Sequence, residues 1–265
     1  MPRFVIAALL IILAVGCFSM IFREAYGTCI NDPLVDLGED LSASPCHAFS
    51  DTYIQARQRF RQAAEDAGAQ LHSIPITSEQ YTTDVAILIG NKPGIVLHSS
   101  GVHGIEGYAG SAIQVAWLKE VYPTQNKDDL PTIVLIHAVN PHGMAHYRRW
   151  NENGVDLNRN GLHQNEWSEV LNRDPNFAHY EDFRPLFRPS SKSLWDAAYN
   201  ALTHIWQHGI PKLKKALVTG QYHDADGIFF GGEEVEKSLS ALWDFLQEKM
   251  PALDTDGNSK VTWLD

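Results

Sequence analysis

Apolar positions along the chain follow two periods. From Ser50 to Ala67 the spacing is helical: Tyr53, Ala56, Phe60, Ala63 and Ala64 share one face, and Arg57, Arg59, Arg61 and Glu65 lie opposite. Asp84 to Ile89 and Gly94 to His98 are short apolar runs. The second is apolar throughout its centre, as a strand buried on both faces would be. Gly110 to Val121 predicts a helix that stops before Pro123, and Thr132 to Val139 is the most strand-like run in the chain. Lys192 to His208 and Glu233 to Lys249 predict two more helices, the latter ended by Pro251. Val261 to Leu264 starts a further strand. Strands alternating with helices predict an α/β fold whose mostly parallel or mixed sheet is flanked by helices.

The chain has 265 residues, enough for one large α/β domain. Its formal charge of −11 argues against nucleic acid as a partner, because phosphate binding needs a basic stripe. A small or peptidic substrate fits better. Phe4 to Phe22 is a run of 19 uncharged residues between Arg3 and Arg23. That is close to the roughly 20 apolar residues of a bilayer-spanning helix, and a cleaved secretory signal has the same basic start and apolar middle. Residues 1–23 therefore read as a signal-anchor or signal peptide, 24–48 as a polar linker and 49–265 as the α/β domain. Either reading sends the chain into the secretory pathway, anchored in a membrane or secreted. The membrane is a partner if the segment stays. In that oxidising setting Cys29 and Cys46 either pair or remain free thiols. A bridge would stabilise the fold by roughly 3 kcal/mol in the chain-entropy model.

Ligands of α/β sheets bind beyond the C-terminal ends of the strands. Two polar clusters stand at such ends. After strand 94–98 comes Ser99-Ser100-Gly101-Val102-His103-Gly104-Ile105-Glu106-Gly107; after strand 132–139 come Asn140-Pro141-His142-Gly143, Arg148-Arg149 and Gly154 to Asn160. His103 and Glu106, three apart on a tight turn, put an imidazole and a carboxylate on one side. Together they offer two donors to Zn²⁺. Taken alone, such a pair equally describes a capping carboxylate beside a surface histidine. Asn158 and Arg159 offer an amide and a guanidinium fork suited to gripping a carboxylate. Arg149 or Arg148 could stabilise an oxyanion, or simply line a solvated turn.

In that order, His103-Gly104-Ile105-Glu106-Gly107, Asn140-Pro141-His142-Gly143 and Gly154-Val155-Asp156-Leu157-Asn158-Arg159-Asn160 resemble the zinc carboxypeptidase clan. Gln221-Tyr222-His223-Asp224 with Gly227 and Gly231-Gly232, and the stretch Gly107 to Gln114, resemble a branch of that clan catalogued as a domain of unknown function. The resemblance runs from about Phe49 to the C-terminus. It implies that His103 and Glu106 bind Zn²⁺ and that Arg149 (or Arg148) faces the developing oxyanion. Asn158 and Arg159 would hold the terminal carboxylate of a peptide or acylated amino acid. The clan's third zinc ligand is a His following a later strand, and its general-base Glu lies further on. No matching segment follows Val261 to Asp265, so the chain is expected to stop inside the catalytic domain and to hold zinc weakly. The last strand should then lie beside the His103 strand. His137 and His223 are conceivable substitute ligands but read better as packing or pocket residues.

Other signals are weaker. Asp254, Asp256, Asn258, Lys260, Thr262 and Asp265 have calcium-loop spacings, but Ser259 stands where Gly is needed, so a polar turn is the better reading. No phosphate loop and no G-x-S-x-G elbow occurs. Ser111, in an Ala-Gly-Ser-Ala context, reads as packing a helix on the sheet. Two functions remain open. One is a zinc-dependent hydrolase of peptide C-termini or N-acyl amino acids. The other is a catalytically incomplete, membrane-tethered protein that binds carboxylated ligands without turnover.

Overall fold

The computed structural model describes residues 48–78, 80–189, 193–253 and 261–264. The sheet with its covering helices lies within residues 50–265. The apolar run 4–22, both linker cysteines and most of the calcium-loop-like segment lie outside the described residues.

Five strands form one mixed sheet: β1 (Gln70–Ser78), β2 (Tyr81–Leu88), β3 (Lys92–Ser99), β4 (Pro131–His137) and β5 (Val261–Leu264), in spatial order β1-β2-β4-β3-β5. The pairs β1–β2 and β2–β4 are antiparallel, whereas β3 runs parallel to both β4 and β5. Beyond its first residue, β4 is buried along its whole length, which is what its unbroken apolar sequence requires of a central strand. The final strand lies where the sequence places it, with Leu264 opposite His98, five positions before His103.

Helices cover both faces. Val85, Ile87, Ile95, Leu97, Val134 and Ile136 form one core with Leu242 and Leu246 of a C-terminal helix that runs Lys237–Leu253. On the opposite face α1 (Tyr53–Asp66) presents Ala56, Phe60, Ala63 and Ala64, all fully buried. Between α1 and the sheet sits Asp84, a carboxylate with no exposed surface. It accepts from Arg57 Nε at 2.7 Å and Arg61 Nη1 at 3.0 Å. The arginines of the nominally polar helix face thus reach around to the sheet.

Seven elements depart from the sequence expectations. Strand β1 reads poorly because Pro75 interrupts it and only Ile74 and Ile76 are buried, the pattern of an edge strand. Helix α2 begins at Gly107 and is regular only to Ala116; a wider turn (Trp117–Val121) and a 3₁₀ turn (Tyr122–Thr124) complete it. Its early glycines mark close packing: a Cβ on Gly110 would lie 2.6 Å from Ser100 Cβ. The helix starting at Lys237 runs through Pro251, which costs one hydrogen bond in a final turn already short of partners. Between β4 and that helix stand α3 (Pro141–Ala145), α4 (Glu166–Asn172), α5 (Tyr180–Phe187), α6 (Leu194–His208) and α7 (Ile210–Thr219), making the C-terminal helix α8. Of these only α6 is foreseen.

Candidate functional site

The site is assembled where β3 and β4 end side by side. Backbone bonds tie the two exits together: Val139 N donates to Ser100 O and Asn140 N to Gly101 O. Asn140, fully buried, caps α3 by accepting from Gly143 N at 2.8 Å and donates to Arg149 O at 3.2 Å. Gly104 lies so close to α3 that a Cβ there would meet the Gly143 carbonyl carbon at 2.0 Å. Only glycine fits, which explains the His-Gly-Ile-Glu sequence. Ile105 N donates to Arg148 O at 3.0 Å, locking the His103 turn to the arginine segment.

The turn from Asn151 to Val155 delivers the next group. Asn151 Oδ1 accepts from Asn153 N and Val155 N, and its Nδ2 donates to Glu236 Oε2. Asp156 follows, almost fully buried, and becomes the hub. Its Oδ1 lies 3.1 Å from His103 Nε2 and accepts from Asn158 N, while its Oδ2 accepts from Arg149 Nε at 3.0 Å. On the far side of the imidazole, Nδ1 faces Glu106 Oε2 at 3.1 Å. Arg149 Nη1 stands 3.5 Å from Glu106 Oε1, and its guanidinium lies over the Phe229 ring at 5.4 Å.

Electrostatics follow from this packing. For His103, burial works against the charged ring, but the hydrogen bonds to Asp156 and Glu106 outweigh it and raise its pKa. For Asp156, burial disfavours the carboxylate, yet its bond to His103 and the charge of Arg149 prevail and lower its pKa. Both ring nitrogens face carboxylate oxygens, so the charged ring donates to each; binding a metal at Nδ1 requires the neutral tautomer whose Nε2 proton is given to Asp156. That is the tautomer and the second partner a metal-binding histidine has. The 3.1 Å separation of Nδ1 and Oε2 is near the roughly 3.3 Å edge between two donors on a tetrahedral zinc with bonds of about 2.0 Å. With neutral His103, the group of His103, Glu106, Asp156 and Arg149 carries one net negative charge, which suits a cation.

The donor pair thus fits zinc, but as a pair. Among the described residues no set of three His, Cys, Asp or Glu is arranged to hold a metal. Asp156 is no third donor, because both of its oxygens are engaged behind the imidazole. His137 is no substitute: it is fully buried, stacked on Phe60 at 4.6 Å and bonded to Ser111 Oγ at 3.0 Å. His223 is exposed on a loop held by Gln221, whose Oε1 accepts from His223 N and Asp224 N.

Of the two candidate arginines only Arg149 reaches the cluster, while Arg148 is exposed. Asn158 is exposed beside Asp156. Arg159 is half-buried; Nη1 donates to Asn158 O at 2.9 Å and Nη2 approaches Leu217 O of α7 at 3.4 Å. The Gln221 to Gly232 loop supports this segment, as Tyr222 Oη donates to Arg159 O at 2.7 Å and Asn160 Nδ2 donates to Gly231 O at 2.9 Å. Asp156 is the residue that sequence reasoning missed. The available signal was that a metal-binding histidine needs an acceptor for its other nitrogen, and Asp156 is the only carboxylate in its motif.

A family model described as protein of unknown function (DUF2817) matches residues 49–265. The search of curated proteins returned no match. Among solved structures, bovine thrombin-activatable fibrinolysis inhibitor, in complex with tick carboxypeptidase inhibitor, aligns at 14% identity over 77% of this chain and 57% of that one, with a TM-score of 0.47. A second structure of thrombin-activatable fibrinolysis inhibitor aligns at 14% identity, covering 81% and 48%, with a TM-score of 0.44. A protein from Shewanella baltica OS155 aligns at 20% identity, covering 42% and 41%, with a TM-score of 0.33. The chain thus spans about half the length of the solved structures it matches.

Proposed function

Because the chain belongs to the DUF2817 family, we propose that its site is that of a zinc-dependent hydrolase of carboxypeptidase type, acting on a peptide C-terminus or an N-acyl amino acid. The observation that carries this reading is the two-sided grip on His103, with Asp156 on Nε2 and Glu106 opposite Nδ1. His103 and Glu106 would hold the metal. When bound, zinc would polarise the scissile carbonyl and acidify a water molecule. Asp156 orients the ring and would accept the Nε2 proton when Nδ1 holds a metal. Arg149, held by Asp156 and leaning over Phe229, keeps a guanidinium beside the donor pair, where it can stabilise negative charge developing on a substrate oxygen. Arg159 and Asn158 would receive the substrate carboxylate.

A second reading has an observation in its favour: the described residues offer two zinc donors rather than the three usual at catalytic sites. On that reading the same pocket binds carboxylated ligands without turnover. One experiment separates them. The purified chain is loaded with zinc, dialysed and assayed for bound metal and for release of C-terminal or acylated amino acids. Stoichiometric zinc and turnover, both lost in His103→Ala and Glu106→Gln, support the hydrolase. Zinc lost on dialysis, with an acyl amino acid still binding in an Arg159-dependent way, supports the second reading. Metal retention that ignores His103 would sink both.

A further inference from the structure

Helix α1 walls a cleft that shares no residue with the candidate site. Its volume is about 440 Å³, within the range of small-ligand pockets. Arg57, Gln58, Arg61, Gln62 and Glu65 line it from α1, and Gln80 lines it from beyond β1. Asp84 and Ser73 hold the two arginines from behind. Arg57 spends Nε and Nη2 on them, and Arg61 spends Nη1. Among the described residues, Arg57 Nη1 and the Nε and Nη2 of Arg61 have no acceptor. Two guanidinium groups four positions apart on one helix face are thus fixed in place with N–H groups to spare. One turn beyond Arg61 on the same face, Glu65 is exposed. Gln58, Gln62 and Gln80 are exposed as well. Gln62 Nε2 donates to Asp66 Oδ1 at 2.9 Å, which leaves its carbonyl oxygen open to an incoming N–H.

We infer that this cleft binds a zwitterionic di- or tripeptide, with its carboxylate on Arg57 and Arg61 and its ammonium toward Glu65. The charge pattern decides the class. At one end two guanidinium groups exceed the carboxylate of Asp84 by one positive charge, and at the other Glu65 supplies one negative charge. A simple anion meets Glu65 and a simple cation meets the arginines, whereas a zwitterion finds an opposite charge at each end. Charges elsewhere on the chain are screened beyond about 8 Å at physiological ionic strength. Spacing sets the length. At 1.5 Å per residue, Glu65 lies about 6 Å along the helix axis from Arg61 and about 12 Å from Arg57. Two or three extended residues span about 7–10 Å. The α-ammonium and α-carboxylate of a single amino acid share one carbon and do not reach both ends. Between the ends, the glutamine amides offer donors and acceptors to peptide groups. Ile54, 60% exposed on the same wall, gives an apolar contact for a side chain.

The test is isothermal titration of the metal-free full chain with trialanine, trialanine amide and N-acetyl-trialanine. None of the readouts depends on turnover, so they stand or fall apart from the proposed hydrolase. Trialanine should bind, and blocking either end should weaken it, about tenfold for the amide and about threefold for the acetyl form. Arg61→Gln should remove most of the preference for a free carboxylate. Glu65→Gln, at an exposed position, should remove the preference for a free amine. Gln58→Glu, also exposed, should weaken trialanine by setting a carboxylate beside the arginines, and it leaves the contacts to Asp84 intact. Arg159→Gln should change none of these affinities. Three outcomes would overturn the inference. One is no binding of trialanine at millimolar concentration. Another is equal binding of all three peptides. The third is binding lost in Arg159→Gln and kept in Arg61→Gln, which would place the peptide in the candidate site instead.

Discussion

Asp156 decides what His103 can do. Its carboxylate takes one imidazole nitrogen and the Nε of Arg149, so one buried group orients both the ring of a metal donor and a cation. Asp156→Asn keeps the shape and removes the charge. The amide can still accept from Nε2, but it no longer polarises the ring or pairs with Arg149. The expected outcome is zinc affinity about 10- to 100-fold weaker, measured by competition with a chromogenic chelator, together with a lower Tm in EDTA because the charge that His103 and Arg149 stabilise is gone. Unchanged affinity would mean that Asp156 is only a structural acceptor. The His103–Glu106 pair is legible in the sequence because its donors sit three positions apart. Asp156 is not, because 53 positions separate it from the ring and only the parallel pairing of β3 and β4 brings the two exits together. The choice of Arg149 over Arg148 is equally a matter of the fold: backbone bonds from Gly104 and Ile105 to both residues set which side chain turns inward.

At the level of elements, apolar runs announced β2, β3 and β4 because the centres of those strands are buried, and burial is what an apolar run encodes; β5, whose Val261 and Thr262 are exposed, is legible only from its strand-type residues. Edge strand β1 and the seven-residue α4 carry weak periodicity; α5 and α7 have clear amphipathic stripes, but they are only 8 and 10 residues long and Pro185 and Pro211 interrupt the helical reading. The docking of α1 rests on polar chemistry that periodicity treats as surface. Arg57 and Arg61 flank Asp84, which has no access to water. Asp84→Ala leaves two guanidinium groups beside the sheet with their acceptor gone. About 3 kcal/mol of stability should be lost, read from urea unfolding, with α1 the first element to lose exchange protection. Arg61→Ala alone should cost less, because Arg57 still makes the shorter contact. A loss below about 0.5 kcal/mol for Asp84→Ala would show the network to be a surface ion pair in energetic terms.

Across the whole molecule, stability depends on pH through a histidine that has no part in the site. His137 and Ser111 look in isolation like a base and a nucleophile, 3.0 Å apart. Both are sealed in the core, so no substrate reaches them. Burial pushes the His137 pKa down to about 4, with the charge of Asp84 opposing this and that of Arg57 adding to it. The unfolded chain binds this proton near pH 6.5 and the folded chain only near 4. Between those values the unfolded state holds more protons, so stability rises with pH through the window, is full above it and is lost on acidification. The steepest slope is about 1.4 kcal/mol for each pH unit. His103 has the opposite sign: its pKa is raised on folding, so its contribution is full below the ordinary histidine value and fades as pH climbs through the raised one. It therefore leaves the acid window to His137 and to His142, whose pKa burial and the neighbouring His146 also lower. Asp156, whose pKa is lowered, contributes above the ordinary aspartate value and fades only below it. Urea unfolding of the metal-free chain from about pH 7 to about pH 4.5 should show a slope that His137→Gln reduces over that range, the remainder coming from His142. If the variant keeps the same acid slope, the loss comes from other groups and the buried imidazole is not its source.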